Sequence, residues 1–319
     1  MPAWNYQKGL QETDNGIYSY LQPDGSWGWS NSGLVVDGDQ SLLVDTLFDA
    51  PMTREMLGIM QDATGIAADA INTVVNTHAN GDHTHGNGLC THAEVIASEA
   101  SAREMEAITP ELLQSLKEAA PDLGDTGQYY LDIFGSFRFD DVAEKLPTRT
   151  FSGSLSMNVG DKQVELVEVG PAHTNGDVLV FVEDNSTVFT GDILFIDGTP
   201  IMWAGPVSNW IAACDLIIAR DPDVIVPGHG PITDKAGVER VKAYLAYIDE
   251  EARKRFDAGM DAKEAAFDIS LSDFDAWTDA ERIAVNVNTL YREYTGDTSP
   301  PNTLELFTLM AEIKKSQRS

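Results

Sequence analysis

Cysteine is almost absent from this sequence of 319 residues, which contains only Cys90 and Cys214. The two do not have the Cys-x-x-Cys spacing of a structural zinc site or a redox pair, so neither kind of site is expected. Two cysteines in a chain of this length fit a reducing compartment. Neither cysteine is predicted to be a nucleophile.

Long apolar runs are also lacking, and no segment resembles a membrane span. The first residues, Met-Pro-Ala-Trp-Asn, lack the basic and apolar regions of a secretory signal. These two absences predict a cytoplasmic protein without a membrane partner.

Basic residues are few: 21 Lys and Arg stand against 51 Asp and Glu, which gives a formal net charge of −30. Such a surface repels nucleic acid and anionic membranes and disfavours polyanionic substrates. A nuclease function is therefore disfavoured, and we expect a small-molecule substrate. The composition leaves a homo-oligomer open.

Three side chains that bind metals well occur within the short segment Thr77–His83, namely His78, Asp82 and His83. The segment directly follows the apolar run Ile71–Val75, which predicts a buried strand. Imidazole and carboxylate together suit zinc, iron or manganese, and a loop after a buried strand holds ligands rigidly while leaving one coordination position open for water. The pattern favours a metallo-hydrolase.

Three more polar residues follow predicted strands further along the chain: His173 follows Val164–Val169, Asp192 follows Thr187–Thr190, and His229 follows Val224–Val226. Taken singly, each is more often a structural residue at a strand end. As an ordered set after Thr77–His83, they predict one metal site. His92 fits no such pattern and is predicted to be structural.

These segments resemble the metallo-β-lactamase superfamily, whose signature is His-x-His-x-Asp-His, then a later His, an Asp after a strand and a final His. The resemblance covers roughly residues 15 to 235 and implies one or two zinc ions, with iron or manganese as alternatives. It implies one site at His78, position 80 and His173, a second at Asp82, His83 and His229, and Asp192 as the bridge between them.

The chain departs from this signature at Asn80, which stands where the second His is expected. An amide oxygen is a weaker ligand than imidazole, so the first site should lose affinity. Three alternatives remain: one metal in the second site, two metals with Asn80 or water completing the first, or His85 as a substitute ligand. The last is disfavoured because residues two apart on a helix face different ways.

The fold class expected from the strand and helix pattern is α+β. Two groups of strands, each with flanking helices, predict a four-layer αβ/βα sandwich over residues 1–235, with a helical, loop-rich insertion at about residues 98–145. From residue 236 to residue 319 the pattern is helical. This C-terminal extension resembles those that wall the substrate pocket in glyoxalase II-like proteins, but a dimer surface fits it equally well.

The function expected is metal-assisted hydrolysis of an ester, lactone, thioester or amide bond, with Asp82 and Asn80 as catalytic candidates. Asp82 ligates or orients the attacking water, while Asn80 ligates weakly or donates to the developing oxyanion. Trp27, Trp29 and Trp203 are candidate substrate contacts, which implies a partly apolar substrate. Two alternatives stay open: a mononuclear iron oxygenase of the sulfur dioxygenase type, and a non-catalytic binding relative.

Overall fold

Two β-sheets packed against each other form the centre of the molecule. The computed structural model describes residues 4–142, 145–183 and 186–317. The first sheet contains, in spatial order, β1 (Gly9–Asp14), β2 (Ile17–Leu21), β3 (Ser32–Asp37), β4 (Gln40–Val44), β5 (Thr73–Val75), β6 (Glu94–Ser98) and β7 (Arg149–Phe151). Strands β1 to β4 are antiparallel neighbours, and β4 to β7 run parallel.

The second sheet is an antiparallel meander with one added parallel strand. It contains β8 (Ser154–Val159), β9 (Lys162–Glu168), β10 (Val178–Val182), β11 (Thr187–Phe189) and β12 (Val224–Val226). Only the pair of β11 and β12 is parallel in this sheet.

Helices cover the outer faces of both sheets. They are α1 (Ala50–Thr64), α2 (Gly81–Thr84), α3 (Glu99–Met105), α4 (Pro110–Ala119), α5 (Gly124–Phe134), α6 (Val207–Arg220), α7 (Lys235–Asp257), α8 (Ala262–Asp268), α9 (Ile283–Thr295) and α10 (Thr303–Gln317). Among these described helices, none is both long and apolar enough to cross a membrane.

Side-chain alternation along the strands divides the core into layers. In β4, Leu42 and Val44 join the buried cluster between the sheets, while Leu43 packs on the other face with Met56 of α1. In the second sheet, Val180 faces the first sheet, and Phe181 faces the layer that contains α6 and α7. Successive strand residues point to opposite faces, so strands buried on both sides are apolar throughout. The α+β, four-layer sandwich is confirmed.

Some element boundaries differ from those expected. The strand predicted at Ile71–Val75 begins only at Thr73, after a short 3-10 turn. The last but one helix begins at Ile283, because residues Ala280–Arg282 form a 3-10 turn. Strands β1 and β7 were not predicted. The division of the chain at residue 235 stays a prediction.

The sheet topology brings four loops together at one end of the sandwich. Strands β4 and β5 are parallel neighbours in the first sheet, and β11 and β12 are parallel neighbours in the second. Parallel strands end at the same edge, so the residues that follow each pair lie side by side. The backbone N–H of Val178 donates to the carbonyl of Thr77 at 2.8 Å and links the two sheets there.

Candidate metal centre

The carboxylate of Asp192 is the point on which four imidazole rings converge. One carboxylate oxygen, Oδ1, lies 3.1 Å from Nε2 of His83. The other oxygen, Oδ2, lies 3.7 Å from Nε2 of His78, 3.4 Å from that of His173 and 3.5 Å from that of His229. All five side chains are almost completely buried.

Asp82 adds a second carboxylate to this cluster. Its Oδ2 lies 3.3 Å from Nε2 of His229 and 3.8 Å from Nε2 of His83. Two sets of three ligand atoms each fit within 4.8 Å of one another: His78, His83 and Asp192 form one set, and Asp82, His83 and His229 form the other. The structure therefore brings together all six side chains that the sequence singled out as ligands.

The second nitrogen of each ring is held by a hydrogen bond. Nδ1 of His173 faces the carbonyl of Ile201 at 2.6 Å, and Nδ1 of His229 faces the carbonyl of Gly25 at 3.0 Å. A carbonyl only accepts, so both nitrogens carry the proton and donate. In both rings, Nε2 is directed at Asp192.

The same tautomer follows for the other two rings. Nδ1 of His83 donates to the carboxylate of Asp45 at 2.9 Å. The Thr77 hydroxyl donates to the same carboxylate at 2.7 Å, so it accepts from Nδ1 of His78, which lies 3.0 Å away. All four histidines thus carry a proton on Nδ1 and present Nε2 to the cluster, as metal-binding histidines do.

Protein groups do not satisfy this cluster. Within the described residues, Nε2 of His78, of His83 and of His173 and Oδ1 of Asp192 are buried without a hydrogen-bond partner. Buried polar atoms normally have partners, so several such atoms aimed at one point fit the binding of a cation. Tetrahedral zinc with bonds of about 2.1 Å holds its ligand atoms about 3.4 Å apart, which is close to the separations found here.

The pKa directions show that protons alone do not resolve the cluster. Burial lowers the pKa of His78 well below its usual value, and the nearby His83 lowers it further. Burial also lowers the pKa of His173. Burial would lower the pKa of His229 too, but the charges of Asp192 and Asp82 raise it to about 9. Burial would also lower the pKa of His83, but the charges of Asp192, Asp82 and Asp45 raise it well above its usual value. The rings of His78 and His173 therefore stay neutral, with lone pairs that face a carboxylate.

Glycines allow the loops of the second sheet to approach each other. A Cβ atom at Gly228 would lie 2.1 Å from Oδ1 of Asp192 and 2.6 Å from the backbone carbon of Gly191. Gly191 has a φ of +50°, and a Cβ there would lie 2.4 Å from the Thr77 hydroxyl. A side chain at Gly228 would displace Asp192, and one at Gly191 would displace Thr77, so both positions favour glycine.

Sequence reasoning missed Asp45, although it follows β4 as directly as Asp192 follows β11. It named Trp27 and Trp29 in the loop that connects β2 and β3 but missed two contacts that this loop makes with the cluster. In this loop, the carbonyl of Gly25 accepts from His229, and the Ser30 hydroxyl donates to the backbone carbonyl of Asp82 at 2.5 Å. The pattern of polar residues after strands was sufficient to find Asp45, whereas the loop contacts depend on tertiary structure.

A comparison with known protein families identifies the family of this chain. The family model described as the metallo-beta-lactamase superfamily matches residues 25–229. The chain belongs to the metallo-beta-lactamase superfamily. Members of this superfamily among the solved structures share the fold. A metallo-beta-lactamase from Pontibacter korlensis superposes with a TM-score of 0.55 at 18% identity, covering 75% of this chain and 99% of its own.

Two further proteins to which this chain is similar are alkylsulfatases. A linear primary-alkylsulfatase from Pseudomonas sp. (strain ATCC 19151) is 25% identical over 137 residues, which is 39% of this chain and 26% of the relative. The structure of a stereoselective inverting sec-alkylsulfatase from Pseudomonas sp. has a TM-score of 0.66 at 16% identity, covering 93% of this chain. The chain spans about half of that structure's length, 52%, and about a quarter of the primary-alkylsulfatase.

Asn80, which the sequence analysis matched to the second signature histidine, directly precedes α2. Its backbone carbonyl accepts from the N–H of His83 at 3.0 Å, which begins α2, and its side chain is half-buried. His85 lies at the end of α2, where its ring packs against Phe48 and Phe139. Burial lowers the pKa of His85 to about 4, so the ring is neutral.

The three candidate tryptophans of this superfamily member differ in burial. Trp27 lies in the core, 8% exposed, while Trp29 and Trp203 are half-buried. The backbone N–H of Trp203 donates to the carbonyl of His173 at 2.9 Å, and its ring stacks on Phe307 of α10. Trp210 is fully buried and donates to the carbonyl of Ile193, which confirms it as a core residue.

Proposed function

We propose that this protein is a metal-dependent hydrolase that cleaves an ester, lactone, thioester or amide bond in a small, partly apolar substrate. The metal is zinc, as one or two ions, held by side chains of the cluster described above: His78, Asp82, His83, His173, Asp192 and His229. The superfamily match and the hydrolase relatives support this assignment.

The convergence of four Nε2 atoms on the Asp192 carboxylate is the observation that carries the proposal. Lone pairs facing a carboxylate in a buried site repel one another unless a cation lies between them. The Nδ1 hydrogen bonds fix the ring orientations in advance, so binding a cation requires little rearrangement. Imidazole and carboxylate ligands together suit zinc, with iron and manganese as alternatives.

The bound metal supplies a Lewis acid that lowers the pKa of a coordinated water so that hydroxide is available near neutral pH. Asp82 accepts hydrogen bonds at the edge of the cluster and is suited to orient that water. The half-buried amide of Asn80 is suited to donate a hydrogen bond to the oxyanion that develops at the attacked carbonyl. These are the two catalytic roles we assign to side chains of this chain.

The substrate is expected to have an apolar part because aromatic side chains adjoin the cluster. Trp203 is bonded through its backbone to the loop of His173, and Trp29 immediately precedes Ser30, which is bonded to the loop of Asp82. Trp27 packs behind them in the core. We propose that Trp29 and Trp203 contact the substrate and that Trp27 supports this wall.

A second candidate substrate class is the alkyl sulfate esters, and the two alkylsulfatase relatives favour it. A linear alkyl sulfate also has the apolar part that the aromatic wall implies. An alkyl sulfate carries a single negative charge, so the acidic surface repels it less than it would repel a polyanion.

A substrate panel tests the proposed function. Purified protein is assayed with a short-chain nitrophenyl ester, a lactone, a thioester, a β-lactam amide and hexyl sulfate. Each assay is repeated after treatment with a chelator and after zinc, manganese or iron is added back. Turnover of at least one substrate that is lost with the chelator and restored by metal is the expected result.

Matched histidine variants separate site chemistry from general damage. His83→Ala removes a ligand, whereas His92→Ala removes a ring at the surface that bonds only to the carbonyl of Asp69. The His83 variant should lose turnover by at least about a thousandfold, within the range that an activated nucleophile contributes. Equal activity of the two variants, or turnover unaffected by chelator, contradicts the proposal.

A further inference from the structure

A buried guanidinium lies beside the metal centre without taking part in it. Arg282 is the last residue of the 3-10 turn Ala280–Arg282 in the C-terminal extension and is only 2% exposed. Its NH1 donates to the carbonyl of Thr199 at 2.9 Å, and its NH2 lies 3.2 Å from a carboxylate oxygen of Asp279. A charged side chain is rarely buried unless it is paired, and this one is paired by Asp279.

Asp279 connects this ion pair to the loop between β2 and β3. The Ser26 hydroxyl lies 2.8 Å from one oxygen of the Asp279 carboxylate and 2.9 Å from the other. The neighbouring residue Trp27 packs its ring under the guanidinium of Arg282, 4.5 Å from the central carbon to the ring centre. Two consecutive residues of the loop are thus held by the C-terminal extension.

The same loop supplies the partner of a cluster histidine. Gly25, which precedes Ser26, accepts the hydrogen bond from Nδ1 of His229. A Cβ atom at Gly25 would lie 2.8 Å from the backbone nitrogen of Gly230, so the loop is packed directly on the loop of His229. Displacement of Ser26 therefore moves the carbonyl that orients His229.

A second route leads from Arg282 to the same ring. The guanidinium carbon lies 5.2 Å from the ring centre of Phe195. Phe195 in turn stacks on His229 with ring centres 5.1 Å apart and an angle of 8° between the planes. Cation–π and stacking contacts of this kind are attractive and favour particular ring orientations. The imidazole of His229 is consequently fixed on its face by Phe195 and at its edge by Gly25.

We infer that Arg282 and Asp279 are positioning residues that hold His229 in its metal-binding orientation, through Ser26 and Gly25 on one side and Phe195 on the other. The C-terminal extension is then part of the metal centre, and its role is to preorganise one ligand. This inference rests on the proposed function for its purpose, but the contacts that carry it are testable in metal-free protein.

The test measures the ring proton on Nδ1 of His229 by proton–nitrogen NMR in metal-free protein with labelled histidine. The signal is assigned by its absence in His229→Gln. Wild type is compared with Ser26→Ala, which removes one hydroxyl at the loop, and with Arg282→Lys, which keeps the charge and removes the planar contacts. Arg255→Lys is the matched control, because Arg255 pairs with Glu251 and Asp268 in the same extension.

We expect the exchange of this proton with solvent to accelerate at least about tenfold in Ser26→Ala and Arg282→Lys and to stay unchanged in Arg255→Lys. Zinc affinity, measured by competition with a chromophoric chelator, should fall about tenfold in the same two variants. This is the lower end of the roughly 10- to 100-fold loss that is typical when a residue supporting a metal ligand is mutated. The absorption spectrum of the cobalt(II) form should shift with them. Thermal unfolding of the metal-free variants shows whether each is folded. If Arg282→Lys does not fold, the exchange rate in Ser26→Ala still tests the inference.

Exchange rates in both variants equal to that of Arg255→Lys overturn the inference, whatever the enzymatic activity. Failure of the wild type to hydrolyse any substrate of the panel contradicts the proposed function and leaves the NMR comparison valid. The two outcomes are therefore distinguishable.

Discussion

The carboxylate of Asp45 holds Nδ1 of His83 at 2.9 Å, and the same carboxylate accepts from the backbone N–H and the hydroxyl of Thr77, each at 2.7 Å. Asp45 thereby supports the residue before His78 as well as His83 itself. A single buried carboxylate orients both histidines of the Thr77–His83 segment.

Asp45→Asn should weaken zinc binding about 10- to 100-fold. The asparagine NH₂ group cannot accept from both Thr77 and His83, so His83 loses the partner that keeps its proton on Nδ1. Its Nε2 then carries the proton for part of the time and cannot bind metal. Zinc affinity is measured by chelator competition.

The control for this substitution is Asp49→Asn. Asp49 is equally buried and lies in the same loop after β4, but it caps α1 and accepts from the N–H of Arg138. Asparagine is a good helix N-cap, so this variant should lose about 1 kcal/mol of stability at most and keep its zinc affinity. Equal zinc affinity of the Asp45 and Asp49 variants would rule out the assigned role of Asp45.

Gly228→Ala should abolish stoichiometric metal binding, because the added Cβ would lie 2.1 Å from the carboxylate of Asp192. Gly58→Ala is the matched control: this glycine lies within α1 and has no atom within 4 Å of the added Cβ. The control should gain about 0.5 to 1 kcal/mol of stability, since alanine favours the helix. Metal content of both variants by elemental analysis is decisive, and full occupancy in Gly228→Ala would show that the loop tolerates the displacement.

Two substitutions of Asn80 separate its two possible roles. If the amide donates to the oxyanion, Asn80→Ala should lower kcat about 100-fold, with metal content unchanged. Asn80→His should raise the metal content of a chain that binds one ion, because it restores the imidazole of the superfamily signature. Parallel losses of turnover and metal in Asn80→Ala would instead identify Asn80 as a ligand.

Both cysteines should be unreactive in the folded protein. Burial raises the pKa of the Cys90 thiol to about 12, and burial likewise raises that of Cys214 to about 12. A raised thiol pKa means that the neutral form predominates at pH 8, and only the thiolate reacts readily. A chromogenic disulfide reagent at pH 8 should therefore detect no fast-reacting thiol in native protein and both thiols in denaturant. A fast-reacting thiol in the native protein would contradict this burial.

The sequence was sufficient to predict strands that are apolar on both faces. Val224–Val226 was predicted with the bounds that the structure shows, and the predicted runs Val164–Val169 and Thr187–Thr190 overlap β9 and β11. The edge strands β1 and β7 were not predicted, because their residues are largely exposed and carry no apolar pattern. Their pairing depends on a neighbouring strand rather than on their own sequence.

The site was predictable to the extent that its residues follow strands. The six ligand candidates occur directly after apolar runs or within one signature segment, so chain order alone singled them out. Gly25, Ser26 and Arg282 carry no such local signal, since their roles depend on contacts between segments far apart in the chain. Asp45 did carry the signal and was overlooked.

Metal content tests the central claim most directly. The purified protein, without added metal, is analysed for transition metals beside Asp192→Asn and His92→Ala. We predict on the order of one or two zinc ions per chain in the wild type and in His92→Ala, and loss of metal in Asp192→Asn, which removes the charge on which the four rings converge. Bound iron would favour the oxygenase alternative. A wild type without stoichiometric metal, or an Asp192→Asn variant with full occupancy, would contradict the account.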